Sequence, residues 1–214
     1  GVRAMTQTTP HQAASHEAAP TTERGRRKRA AIVSAARAVF EDAGFKDARI
    51  ADIAKRAGAS YGSFYTYFES KDEIFREVVQ DVTDEMFETS RSGSGTLDPV
   101  ERIEIANRKY VEAYARNARM MAVMAEVAAY DDFTGAMSYE IRKRFVERNA
   151  AGIRRLQETG EADPKIDADI AADVLGGMIE RFAQVWVPRR TPEEIEAAVP
   201  VLTSIWARGI GVHI

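Results

Sequence analysis

Cysteine is absent from the 214 residues, which removes disulfides, thiolate nucleophiles and cysteine-ligated metals from consideration. Histidine is scarce. His11, His16 and His213 all lie near the ends of the sequence, so an imidazole centre would have to be assembled from terminal segments. No apolar run approaches the length of a membrane-spanning helix, and the first residues lack the apolar core of a secretory signal. There is no G-x-S-x-G, no glycine-rich phosphate loop and no H-x-x-H spacing. These absences point away from an enzyme, a metal site, a cofactor or a membrane partner, and toward a cytoplasmic protein.

What remains is a chain that is 45% hydrophobic and 29% charged, enough for one domain or two small ones. The formal charge of -3 argues against general attraction to nucleic acid, but the charges are unevenly placed. Arg24, Arg26, Arg27, Lys28 and Arg29 fall within six residues, whereas acidic residues are frequent later, and local charge is what meets a phosphate backbone. That basic run reads either as an arm that tracks phosphates or enters the minor groove, or as a solvated flexible segment. Residues 1–23 are rich in Thr, Gln, Ala, His and Pro without periodicity and are expected to be disordered, with Met5 as a plausible natural start.

The most informative stretch is Ile50 to Lys71. Ile50, Ile53, Ala54 and Ala57 sit at helical spacing, Gly58 supplies a left-handed stop, and Ser60 is placed to cap a second helix starting at Tyr61. Phe64 and Phe68, four apart, turn inward on Ile53 and Ala57. Gly62, Ser63, Tyr65 and Thr66 then face outward, where small residues admit a close neighbour and hydroxyls reach base edges or phosphates. This is a helix-turn-helix. A preceding helix from Arg27 to Ala43, carrying Ile32, Ala35, Ala36, Val39 and Phe40 and ended by Gly44, braces the pair.

Asp52, Ile53, Ala54, Ala57, Gly58, Ser60, Gly62, Phe64, Tyr65, Tyr67, Phe68, Ser70 and Lys71, flanked by Gly44 and Phe45 and by Glu73, Ile74 and Phe75, closely resemble the TetR family of bacterial transcriptional repressors. The resemblance covers about Arg27 to Phe75. It implies a DNA-contacting set of Arg49, Tyr61, Gly62, Ser63, Tyr65, Thr66, Tyr67 and Lys71, with Lys71 holding a phosphate from the first turn of the fourth helix. Arg49 stands where the family usually has threonine and offers a charged phosphate contact. The organisation expected is a tail over 1–23, a DNA-binding domain over 24–75, and a helical regulatory and dimerisation domain over 76–214.

In the second half the pattern is all-α, giving about nine helices in total with no strand. Ser70 to Glu73 forms a capping box for a fourth helix carrying Ile74, Phe75, Val78, Val82 and Phe87, and Ser90 to Thr96 reads as a flexible connection. Asp98 and Pro99 open a fifth helix running to about Ala115, and a sixth spans about Arg119 to Tyr130. A seventh carries Met137, Ile141, Phe145, Ile153 and Leu156 before Gly160. The eighth, about 167–187, is apolar over a broad arc, and the ninth, about 192–210, opens with a Thr191, Pro192, Glu194 capping box and contains Pro200, expected to kink it.

The last two helices are expected to build a homodimer, which two reading heads on one palindromic double-stranded operator require. The family resemblance further implies a ligand pocket among the fifth to eighth helices. Its candidates are Tyr110, Tyr114, Met121, Met124, Met137, Phe145, Met178 and Phe182, a mostly apolar set suited to a small hydrophobic effector.

Overall fold

The computed structural model describes residues 22–91 and 97–213; the expected N-terminal tail and the Gly93, Gly95 connection lie outside them except at their edges. Among the described residues there are eight helices and no strand: α1 (Glu23–Asp47), α2 (Ile50–Arg56), α3 (Tyr61–Tyr65), α4 (Lys71–Thr89), α5 (Pro99–Ala128), α6 (Asp132–Glu158), α7 (Ala168–Trp186) and α8 (Pro192–Gly209). None is long and apolar enough to cross a membrane.

The basic run is not an extended arm. Thr22 caps α1, its Oγ1 accepting from the Gly25 N–H at 3.1 Å, and Glu23 in the first turn draws Arg26 and Arg27 back at 2.8 and 2.9 Å. These are the helical i,i+3 and i,i+4 spacings, so Arg24 to Arg29 wind as helix from the start. Arg29 reaches across to Glu77 on α4 in a two-pronged ion pair and lies over the Phe68 ring. At the other end Gly44, with φ of 75°, leaves helical geometry as anticipated.

Eight helices replace the expected nine because the fifth and sixth are one. Residues 115–118 are Ala, Arg, Asn and Ala, none of which breaks a helix, and α5 runs through them for 30 residues, roughly 45 Å at 1.5 Å per residue. The polar residue there is a stitch and not a stop. Asn117 is buried, gives its Nδ2 to the Ala113 carbonyl and accepts from Arg37 of α1 at 2.8 Å. The following helix also starts earlier than its apolar spacing suggested, at Asp132, because Asp131 caps Thr134 at 2.7 Å.

Two apolar clusters organise the chain. The first joins Ile32, Phe40, Phe64, Phe68, Phe75 and Val78 of the N-terminal helices to Met86, Met120, Val127 and Ile141 without interruption. The second gathers Ile103, Ile153, Leu156, Leu175, Ile179, Trp206 and Ile210. Asp98 and Thr191 cap α5 and α8 as expected, the latter in a full capping box. At α4 only half of the expected box forms: Ser70 caps Glu73 at 3.1 Å, but the Glu73 carboxylate takes the Glu69 N–H. Pro200 lies inside α8 on its exposed side and does not end it.

Candidate nucleic-acid interface and internal cavity

The α2–turn–α3 unit hangs on two rings. Phe64 and Phe68 are 0 and 1% exposed, with centroids 5.7 Å apart, and they fix α3 against Ile53 and α1. Gly58, with φ of 63°, makes the turn, and Ser60 caps Ser63 at 3.2 Å. With that face buried, Tyr61, Gly62, Tyr65 and Thr66 are exposed and Ser63 and Tyr67 half-buried. The Tyr61 and Tyr65 hydroxyls meet at 3.1 Å with rings edge to face at 5.4 Å. That hydrogen bond, then desolvation, raises the Tyr65 pKa above the usual tyrosine value, so Tyr65 stays a neutral hydroxyl. Lys28 of α1 reaches the Ser63 hydroxyl at 3.3 Å and sets a positive charge beside this rim.

Arg49 is exposed at the start of α2 and bonds Asp52 at 2.9 Å. Lys71 is engaged differently from the expectation. Its Nζ donates to the carbonyls of Phe45, Lys46 and Ala48 at 2.7, 3.2 and 3.0 Å and lies 4.6 Å from the centre of the Phe45 ring. All three ammonium donors are thereby turned onto the end of α1, where the helix leaves carbonyls without intrahelical partners. The side chain is a strut between α4 and α1, a role that only the folded arrangement reveals.

Among α4, α5, α6 and α7 lies a cavity of about 910 Å³, near the top of the range of about 300–1,000 Å³ for small-molecule pockets. Tyr110, Met121, Met124 and Phe145 line it as anticipated. Tyr114, Met137, Met178 and Phe182 do not. Tyr114 is 5% exposed and, like Met137, packs into the first cluster, while Met178 and Phe182 pack against the second and Phe182 stacks toward Trp186 at 4.9 Å. Helical periodicity places a residue on an inner face but cannot say which inner residues border a void.

Sequence reasoning also missed the polar part of the wall. Arg142, Arg148, Asn149, Glu180 and Arg102 line the cavity with the apolar residues. Arg142 crosses from α6 to α7, bonding Asp173 at 2.9 Å and Glu180 beside it, and Gly177 admits it: a Cβ there would stand 2.7 Å from an Arg142 nitrogen. The signal available in the sequence was the Gly176–Gly177 pair inside an apolar helix, which marks a close approach. Tyr110 packs edge to face on Phe145 at 5.7 Å; burial, and then Glu180, push its hydroxyl well above the usual tyrosine range, so it remains a neutral donor. Among the described residues no group of three or more His, Asp or Glu is placed to hold a metal ion.

Residues 32–78 match the family described as bacterial regulatory proteins, tetR family. The chain is 25% identical over 166 residues to an uncharacterized HTH-type transcriptional regulator, YdgC of Bacillus subtilis, across 75% of this chain and 82% of that protein. It is 27% identical over 169 residues to the HTH-type transcriptional repressor KstR2 of Mycolicibacterium smegmatis, across 76% and 78%. Among solved structures, a TetR-like transcriptional regulator from Rhodococcus sp. RHA1 superposes with a TM-score of 0.66 at 26% identity, over 85% of this chain and 94% of that one.

Proposed function

We propose that the chain is a regulator of the TetR family that represses transcription by binding a palindromic duplex operator as a homodimer and is released by a small hydrophobic effector, a reading supported by the match over residues 32–78 and by the related regulators. It acts by binding and not by catalysis, in the cytoplasm where its DNA lies. The observation that carries this reading is the rim of exposed Tyr61, Gly62, Tyr65 and Thr66, with half-buried Ser63 among them, above the buried Phe64 and Phe68. Side chains of this kind serve base edges and phosphates alike, with Arg49 and Lys28 adding charge at the flank.

Dimerisation falls to α7 and α8. Ile170 and Val174 of α7 are 65 and 64% exposed, Val201 and Ile205 of α8 are 58 and 48% exposed, and within each helix the pair is four apart. Apolar side chains repeated on one stripe of adjacent helices favour a partner helix pair. Trp206 of α8 turns away from that stripe into its own subunit and lines the cavity. The division near residue 75 is one of roles, since the first apolar cluster passes through it.

Selection of duplexes from a random pool by the purified protein tests the reading. An inverted repeat is expected, with recognition elements about 34–36 Å apart or somewhat more, together with a dimer in sedimentation at micromolar concentration. A monomer that enriches no repeat would refute the architecture.

A further inference from the structure

The cavity is lopsided in charge. Its charged lining comprises Arg91, Arg102, Arg142, Arg148 and Arg155 against the single acid Glu180. Arg142 is neutralised by Asp173 and Glu180, and Arg91 by Glu88 at 2.9 Å. Among the described residues Arg102, Arg148 and Arg155 have no carboxylate within ion-pair distance. Their neighbours in sequence show that this is not general: Arg144 pairs with Asp84 and Arg154 with Asp169.

The three differ in depth. Arg155 is exposed, while Arg102 and Arg148 are partly buried. Arg148 donates to the Phe87 carbonyl and, at 2.9 Å, to the Ser90 hydroxyl, with its guanidinium 4.3 Å from the Phe87 ring centre and 5.1 Å from that of Phe145. All of those partners are neutral. Burial first, and then the like charge of Arg91, lower its pKa; the opposing pull of Glu88, which is already paired, comes next, ahead of a further lowering by Arg144. Arg102 gives Nη2 to the Leu97 carbonyl at 3.0 Å, and its Nε is buried without an acceptor. Guanidinium groups stay charged through such shifts, so the cost of holding them falls when an anion arrives.

Topology brings the three toward one end of the cavity. Arg102 is near the start of α5 and Arg155 near the end of α6; these helices are joined by a short turn at 129–131 and run back along each other. Arg148 holds the last turn of α4, just beyond which the Arg91 carbonyl accepts from Lys109 in the first half of α5 at 2.9 Å. Met121, Met124 and Ile141 lie nearer the α5–α6 turn, where the one lining arginine, Arg142, is already paired, so the arginines without a carboxylate partner gather toward the opposite end.

Resting on the reading of this cavity as the effector site, we propose that its ligand is an amphiphilic anion. An apolar body lies against Met121, Met124, Ile141 and Phe145, and a carboxylate or phosphate head is held by Arg102, Arg148 and Arg155. Arginine suits both heads because its planar fork matches their paired oxygens.

Titration calorimetry on the full chain tests this with decyl probes that share a tail and differ in head: decanoate, decyl phosphate, decanol and decyltrimethylammonium, each below its micellar range. Decanoate and decyl phosphate are expected to bind at least about tenfold tighter than decanol, with the ammonium weakest. The tighter of the two anions tells whether the head is a free acid or a phosphate ester. Arg148→Met should bring anion and alcohol together, and Arg148→Lys should retain part of the preference. Because Arg148 also ties down α4, Arg102→Gln and Arg155→Gln provide separate tests, each reducing the preference. Equal binding of decanoate and decanol, or tightest binding of the ammonium, overturns the head assignment alone. Failure of all four probes to bind overturns the effector-site reading with it.

Discussion

Replacing Gly62 by alanine separates what the fold needs from what DNA needs. Gly62 is exposed near the start of α3, and a Cβ built there meets no heavy atom within 4 Å, so its own chain has no steric use for the missing side chain. Alanine at an exposed helical site is favoured over glycine by about 0.5–1 kcal/mol, and a position near the helix start sits at the lower end. For a chain of this size that corresponds to a rise in melting temperature of about 1–3 °C. The effect on DNA should have the opposite sign. If the start of α3 enters the major groove, the new methyl takes space the duplex occupies, and affinity for a selected operator should fall at least about tenfold, or about 1.4 kcal/mol. Thermal melting and fluorescence anisotropy on the same preparation read both quantities. A variant that melts higher and binds operator as the parent does would refute close approach at this position. One that melts lower would refute the packing described for α3.

Lys71→Met removes three bonds to carbonyls at the end of α1, and because the site is only partly buried the expected cost is about 2 kcal/mol, read as a lower urea midpoint; an unchanged midpoint would return Lys71 to a role outside the fold. The Asp81 carboxyl is raised by desolvation first, then by Glu77 and Asp84, so its ionised form is disfavoured in the folded state at neutral pH. Asp81→Asn is therefore expected to raise the melting temperature at pH 7. The gain should shrink as pH falls through the raised value and vanish below about 4, where the parent is protonated folded or unfolded; a gain that grows on acidification would contradict the sign. Met124→Trp places a large ring in the cavity and should blunt release of DNA by lipophilic compounds while leaving operator affinity unchanged in their absence, both measurable by gel shift.

The reading unit was legible because its determinants are local. A stop at Gly58, a cap at Ser60 and rings four apart at Phe64 and Phe68 act within one or two turns, and the structure places all of them as expected. The first helix begins at Glu23, four residues before the expected Arg27, although the signal for it, Thr22 as a cap followed by Glu23 in the first turn, is also local. The fused α5 depended on a partner far along the chain, since Asn117 is satisfied by Arg37 eighty residues away. The cavity was legible as a region and not as a residue set. Whether Met124 borders a void and Met178 a neighbour is decided by how α6 and α7 approach, which turns on Gly176, Gly177 and the Arg142 crossing.

How a ligand reaches the DNA follows from what α4 is tied to. At its start Lys71 binds it to the end of α1, and at its end Arg148 binds the Phe87 carbonyl and the Ser90 hydroxyl to α6. Between these ties Phe75, Val78 and Val79 face the reading unit, whereas Thr83, Met86 and Phe87 line the cavity. A helix held at both ends moves as a rod, so a shift of Phe87 or Arg148 arrives at the base of α1. A second connection joins α1 to α5. Arg37 to Asn117 at 2.8 Å, and Arg119 to the Glu41 carbonyl at 2.9 Å and to Asp42 at 3.2 Å, hold α1 on α5. Asp42, its pKa lowered first by its hydrogen bond from Arg56, carries that tie on into α2. The α1–α5 contact can therefore serve as the pivot and α4 as the lever. Moving such a balance from 1:99 to 99:1 needs about 5.5 kcal/mol of preference for one state, whereas one ordinary hydrogen bond contributes about 1 kcal/mol net. No single contact suffices. A ligand that fills the apolar lining and neutralises Arg148 would act on α4 at two levels, and several such contacts, made in the released state alone, would together reach the required size.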